Sequence, residues 1–329
     1  MKTFGGEMEL KTPKLFKYLT DSGRSSLRLI CKSVLKGKKL LVPDFLCQTI
    51  LDILDETGVE YSFYKIKKDL SLDVSSIKEQ KFDALYQIDY FGAIDAESYK
   101  HIDNDTLLIE DAVFLPNVCK PNNIKNWIGF NSLRKITNIA DGSIILSTMK
   151  LDESIIKSSS ASFSALKYKA KSLKYDYLHN SSKKNTDSER MYLDLFSKAE
   201  SMLNHQKTIH KISNESLFNL LELGLDEGNI KKRISNYKEL DKKLKKYSIL
   251  KLNRVAFPCF YVMVTKNRDH LKKILATNNV YLPSFWSNPR RISNDIYDDL
   301  ICVPIDTRYA ISDIKELARF IELNMENHK

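Results

Sequence analysis

The sequence has no run approaching the roughly 18 uninterrupted apolar residues that a membrane span requires, and its opening stretch, MKTFGGEMELKTPK, contains no apolar signal-peptide core. A membrane partner is therefore not expected, and the chain is read as cytoplasmic. Cysteine is scarce and unpatterned. Cys31, Cys47, Cys119, Cys259 and Cys302 are odd in number, far apart and never in CxxC or CxxxC spacing, which argues against a disulfide framework and gives no zinc-ligand pattern. Reduced thiols and no metal are expected. There is no internal repeat, and no nucleic-acid-binding motif accompanies the positive charge.

What is present points to a globular protein. The 329 residues exceed the roughly 100 to 200 of a typical domain, so two domains are the default. A content of 43% hydrophobic, 10% aromatic and 29% charged residues supports a sizeable core and excludes a disordered chain. The net charge of +10, from 52 basic and 42 acidic residues, suits an anionic substrate, but the lysines are dispersed. The densest run, Lys242, Lys243, Lys245 and Lys246, has the spacing of a solvated helix face, and no nucleic-acid partner is expected.

From residue 39 to about 147 apolar runs alternate with helical patterns, the signature of βαβ units around a mostly parallel sheet. KLLVP (39–43), VEYSFYKI (59–66), FDALYQIDY (82–90), TLLIEDA (106–112), NWIGF and GSIILS read as strands. CQTILDILDETG (47–58) and the short IDAESYKHI read as helices between them. Residues 153 to about 215 turn helical, interrupted by the polar HNSSKKNTDSE (179–189). Beyond them a basic helix (230–246), the strand VAFPCFYVMV (255–264), the helix RDHLKKILATNN, the strand VYLPSFW and a closing helix from Ser312 to Asn324 suit a small α+β domain.

Three pieces of the first half carry chemistry. Ligands of open α/β sheets bind beyond the carboxyl ends of the strands, where Asp89 and Asp111 fall. Asp111, ending the apolar LLIE, needs a cation to offset its desolvation, and a protonated heterocyclic nitrogen is such a cation; alone, it also reads as a turn cap. DSGRSSLRLI (21–30) opens a helix on Gly23, Arg24 and Ser25, leaving free N–H groups that suit a phosphate, although an ordinary N-cap explains it too. In FNSLRKITNIADGS (130–143), Ser132 and Lys135 stand three apart between a strand and a glycine turn. A Schiff-base lysine beside a phosphate-binding hydroxyl has this form, as does a surface lysine.

The order of these pieces resembles that of the DegT-type (DegT/DnrJ/StrS) sugar aminotransferases, pyridoxal-phosphate enzymes of fold type I. GGEMEL, SGRSSLRL, LLVPDFLC, DYFG, LLIEDA, NSLRK and DGSIIL follow that family's order from residue 5 to 146, and KKRISNYKEL, NRDHLKKIL, YLPSFW and VPIDTRY continue it. The resemblance implies a large cofactor domain over residues 1–215, with an N-terminal arm over 1–20, and a small C-terminal α+β domain over 216–329. It implies pyridoxal 5'-phosphate held by Lys135, with Asp111 on the ring nitrogen, Gly23, Arg24, Ser25 and Ser132 at the phosphate, and Phe114 against the ring.

It further implies a homodimer, an amino-acid donor such as L-glutamate or glutamine, and a keto-sugar acceptor, nucleotide-linked and used in surface-polysaccharide synthesis. Trp286 and Arg308, in the small domain, are expected to face the cofactor across the domain cleft, where the arginine would pair with a donor carboxylate and the indole cover a sugar or base; the alternative is a structural ion pair and a core aromatic. Two departures stand out: Phe114 occupies a position where many relatives carry Gln or His, and Ser284 and Phe285 one where they place Val and His. The alternatives are a transaminase of a non-sugar carbonyl compound and a catalytically silent binding or regulatory relative. A sugar dehydratase of this fold is disfavoured, because such relatives replace the lysine with histidine.

Overall fold

The computed structural model describes residues 14–78, 80–103, 105–220, 227–289, 292 and 294–326. The expected motif GGEMEL and residues 1–13 of the expected arm lie outside the described residues. Seven strands form one sheet: β1 (Phe16–Thr20), β2 (Lys39–Pro43), β3 (Glu60–Tyr64), β4 (Ala84–Ile88), β5 (Leu107–Asp111), β6 (Trp127–Phe130) and β7 (Ser143–Ser147). Their order is β1-β7-β6-β5-β4-β2-β3. The pairs from β3 to β6 are parallel, while β7 runs antiparallel to both β6 and β1. Residues 16–20 of the expected arm are thus an edge strand. The fold class is α/β, with a mostly parallel sheet, as expected.

Local chemistry explains the elements. All five residues of β4 and of β5 are buried, as befits central parallel strands covered on both faces. The helix α1 (Gly23–Val34) starts where Ser22, in extended backbone, accepts a hydrogen bond from the Ser25 amide at 3.2 Å. The helix α2 (Gln48–Thr57) buries Ile50, Leu51, Ile53 and Leu54 and stops at Gly58, whose φ of 67° suits a left-handed cap. IDAESYKHI is reduced to one 3-10 turn, Ser98–His101.

Three helices follow the sheet: α3 (Ser162–His179), α4 (Thr186–His205) and α5 (Asn214–Asn219). The C-terminal part comprises α6 (Glu227–Leu244), β8 (Phe260–Val264), α7 (Arg268–Thr277), α8 (Ile296–Asp299), β9 (Leu300–Pro304) and α9 (Ile311–Glu326), with β8 and β9 antiparallel. A second apolar core lies between α6, α7, α9 and this strand pair, centred on Tyr237, Tyr261, Leu275 and Ile321.

Two expected strands differ. VAFPCFYVMV begins its strand only at Phe260, after Pro258, whose missing N–H cannot join a ladder. VYLPSFW is not a strand: its Pro283 breaks the donor series, and Phe285 and Trp286 instead pack on the main core. The two parts of the chain meet closely at Gly92. With φ at +88°, its carbonyl accepts from the amides of Ala256 and Phe257, and a Cβ there would lie 1.9 Å from the Phe257 carbonyl oxygen. Only glycine fits.

Candidate active site

A cavity of about 250 Å³ opens at the carboxyl ends of β5 and β6, against the start of α1. Parallel strands present their backbone ends there, and the chain must turn, which is why functional side chains collect at that edge. The cavity is lined by Ser22, Gly23 and Arg24 of α1 and its cap, Asp111 and Tyr86 of the sheet, Ser132, Arg134 and Lys135 after β6, and Trp286. Gly23 and Ser132, 109 positions apart in numbering, are neighbours: a Cβ on Gly23 would lie 3.5 Å from that of Ser132.

Asp111 is 4% exposed. Its Oδ2 accepts from the Tyr86 hydroxyl at 2.5 Å and its Oδ1 from the Val113 amide at 3.2 Å. Burial raises its pKa to about 6, against the lowering effects of the Tyr86 hydrogen bond and the Lys135 charge. Burial, and then the Asp111 charge, push the Tyr86 phenol well above its usual range, so it remains a donor.

Lys135 keeps side-chain surface open along the cavity it lines, yet its ammonium lies 4.9 Å over the Phe114 ring. The two facts agree because that opening is toward the cavity. Burial lowers its pKa, opposed by Cys47 and Asp111 and reinforced by Arg134 and Arg24. A poorly solvated amine of lowered pKa is a better nucleophile and base at neutral pH than an ordinary lysine.

The other expected residues divide. Ser132, Gly23, Arg24 and Trp286 line the cavity with Lys135 and Asp111; Ser25, Phe114 and Arg308 do not. Ser25 is fully buried, its amide held by Ser22 and its hydroxyl near Gln206, so the hydroxyl facing the cavity is that of Ser22. Phe114 lies beneath Lys135 among Phe91, Phe260 and Phe285. Arg308, 63% exposed, donates to both oxygens of Asp306 at 2.6 and 2.8 Å and lies over Tyr309. A carboxylate two residues away in the chain captures it.

Asp89 is also outside the cavity. Ile88 pairs with Asp111 in register, so the next residue points to the opposite face of the sheet. A larger groove, about 530 Å³, is lined by Tyr99, Lys100, Asp103 and Pro121, but its lysine is an exposed side chain paired with Glu97; the expected site residues converge on the smaller cavity. Among the described residues no group of His, Cys, Asp and Glu could hold a metal, and no helix is long and apolar enough to cross a membrane.

Sequence reasoning missed Tyr86, Cys47, Arg134 and Glu200, all of which line the cavity. Tyr86 had a signal: it is two residues before Ile88 on the strand face that Asp111 shares.

No family model matches the sequence, and no curated protein does. Solved structures do match. A DegT DnrJ EryC1 StrS aminotransferase from Brucella abortus is 15% identical with a TM-score of 0.60, over 94% of this chain and 86% of that one. The Helicobacter pylori aminotransferase PseC, involved in the biosynthesis of pseudoaminic acid, is 13% identical with a TM-score of 0.60, over 94% and 87%. A putative sugar aminotransferase of Streptococcus pneumoniae in its PLP form is 10% identical with a TM-score of 0.65, over 94% and 87%. The chain has the fold of the DegT-type sugar aminotransferases. At these identities the likeness is one of fold, and the chemistry must be argued from the cavity.

Proposed function

We propose that the protein is a pyridoxal-phosphate-dependent aminotransferase that moves an amino group from an amino acid, L-glutamate or glutamine, to a keto sugar, nucleotide-linked and destined for surface polysaccharide. The observation that carries this reading is the convergence of Lys135 and Asp111 on one buried cavity at the start of α1. The residues fit the cofactor. Asp111 has hydrogen bonds from Tyr86 and Val113 but no ion pair among the described residues, and a cationic ring nitrogen would complete it. The first-turn amides of Gly23 and Arg24 have no intrahelical acceptor, which suits a phosphate, and the Ser22 and Ser132 hydroxyls stand beside them.

When bound, the cofactor supplies the electron sink on which transamination depends. The chain supplies the rest. Asp111, held in orientation by the Tyr86 hydroxyl, would hold the ring nitrogen in its protonated form. Lys135 would hold the cofactor through Nζ and would be the base that takes and returns the proton of transamination. Trp286 and Phe285 give the cavity an apolar wall.

In this reading residues 1–215 form the cofactor domain and 216–329 the small domain, and a homodimer completes the site. The test is reduction with borohydride in the presence of pyridoxal phosphate, followed by peptide mapping. Label on the peptide containing NSLRK is the expected result; label on another lysine, or none at saturating cofactor, overturns the reading.

A further inference from the structure

Arg24, Arg134 and Glu200 line the cavity and, with Lys167 joining them through Glu200, form a second cluster that neither Lys135 nor Asp111 requires. Glu200 of α4 reaches the cavity wall and is gripped by three cations: Arg24 Nη2 at 3.1 Å, Arg134 at 3.5 Å to each oxygen, and Lys167 Nζ at 2.7 Å. One carboxylate thus faces three positive groups. Lys171 adds to the excess: burial, then the charges of Lys167 and Arg134, lower its pKa to about 8. The hydrogen-bonding capacity is also unfilled, since Arg24 Nη1 and Arg134 Nε are buried without a partner among the described residues. A buried donor left unpaired is costly and rare in a finished structure.

The members of the cluster differ in freedom. The side chains of Arg24 and Arg134 are each 17% exposed and that of Lys167 is 9% exposed, whereas that of Glu200 is 39% exposed. The cations are fixed by packing and their counterion is the loosest part. Arg24 moreover serves two places. Its amide lies in the first turn of α1, while its guanidinium points away to Glu200. Arg134 precedes Lys135 in the same turn, and both line the cavity.

We propose that Arg24, Arg134 and Lys167 form a seat for an anionic group of the substrate, distinct from the cofactor-phosphate seat at the start of α1, with Glu200 as a resident counterion that the substrate anion displaces or shares. The proposal rests on the aminotransferase reading for calling the ligand a substrate. The seat fits a carboxylate or a phosphate, because guanidinium forks pair with either. The donor amino acid brings the first and a nucleotide-linked sugar the second.

The experiment uses the full chain with its cofactor fixed by borohydride, so that the α1 seat is filled and turnover is stopped. Inorganic pyrophosphate and glutarate are titrated separately by calorimetry, with the fluorescence of Trp286 as a second readout. Saturable binding of at least one probe is expected, weakened roughly tenfold or more in Arg134→Gln and Lys167→Met and strengthened several-fold in Glu200→Gln. Binding of pyrophosphate alone identifies the sugar's phosphate as the occupant, and binding of glutarate alone the donor's carboxylate.

A purely structural ion cluster predicts instead that Glu200→Gln lowers the melting temperature without any gain in anion affinity. That result, or absence of binding by both probes, overturns the proposal. Failure of borohydride fixation counts against the cofactor reading alone, and the same titrations on the cofactor-free chain then still decide whether an anion seat exists.

Discussion

Glu110 and Asp111 are neighbours in β5, and the alternation of the strand sends them to opposite faces of the sheet. Both are buried, both carry tyrosine and one further donor, and burial raises the pKa of each. Glu110 accepts from Tyr99 at 2.5 Å and Trp127 Nε1 at 2.8 Å, and its remaining neighbour is the Asp89 carboxyl. Asp111 accepts from Tyr86 and Val113 and looks across a cavity toward Lys135. The first arrangement is closed by a second carboxyl of the chain itself, that of Asp89. The second is left open to a ligand, and burial alone does not distinguish them.

The sharpest way to break the contrast is on the cavity side. On the function proposed above, Lys135→Ala removes both the attachment point and the base, and turnover should fall by about 10⁴-fold or more, measured as product formation with any accepted substrate pair. The fold should survive, because the side chain borders a cavity. A variant retaining a tenth of wild-type turnover would remove Lys135 from the chemistry.

Asp111→Asn should cost less, roughly 10²- to 10³-fold in turnover, with weaker cofactor binding. It carries an opposite effect on the cofactor-free protein. The folded-state pKa of about 6 lies above the ordinary value of 3.8, so the Asp111 contribution to stability is full below pH 4 and is lost as pH rises through 6. The loss is of order 3 kcal/mol. The Asn variant should lack this step and melt a few degrees higher than the cofactor-free parent at pH 7. Equal melting temperatures across pH 4 to 7 would show that burial does not tax this carboxyl.

On the opposite face Glu110→Gln should leave turnover within about twofold and lower stability by roughly 1–3 kcal/mol. The Gln carbonyl oxygen can serve Tyr99 or Trp127, but its amide group meets a donor where an acceptor is needed. Denaturant unfolding alongside an activity assay separates the two effects, and a kinetic defect like that of Asp111→Asn would erase the distinction between the faces.

The sheet was legible because its buried strands are short apolar runs between helical periods, and Asp111 and Lys135 because each ends or follows such a run. VYLPSFW misled because aromatic and branched residues favour strands, while Pro283 and the packing of Phe285 and Trp286 on the main core decide otherwise. For Arg308 the sequence left a substrate contact and a structural ion pair open, and Asp306, two residues earlier, offers it a two-point pairing that needs no folding at long range. The Glu200 cluster was not legible. Its carboxylate lies 176 residues from Arg24 and 66 from Arg134, on a helix whose charged residues look like any solvated face.

The smallest effect is expected at Asp89, and it tests the closed arrangement directly. No donor among the described residues reaches either of its oxygens, and burial, then the Glu110 charge, push its pKa well above the usual carboxylate range. Its hold on a proton is therefore strengthened, and a proton between the two carboxyls would satisfy Glu110. Asn offers a neutral donor of similar shape, so where Asp89 is protonated Asp89→Asn should change stability by no more than about 0.5 kcal/mol, with turnover within twofold. As pH rises the two proteins should part. A raised folded-state pKa means stability is lost as pH climbs from the ordinary carboxylate value toward it, so the parent should melt progressively lower than the Asn variant, which has no proton to lose. Thermal unfolding of both proteins from pH 4 upward checks the sign. Parallel curves would mean that Asp89 is ionised throughout, and that the far face of β5 hides an unpaired charge rather than a shared proton.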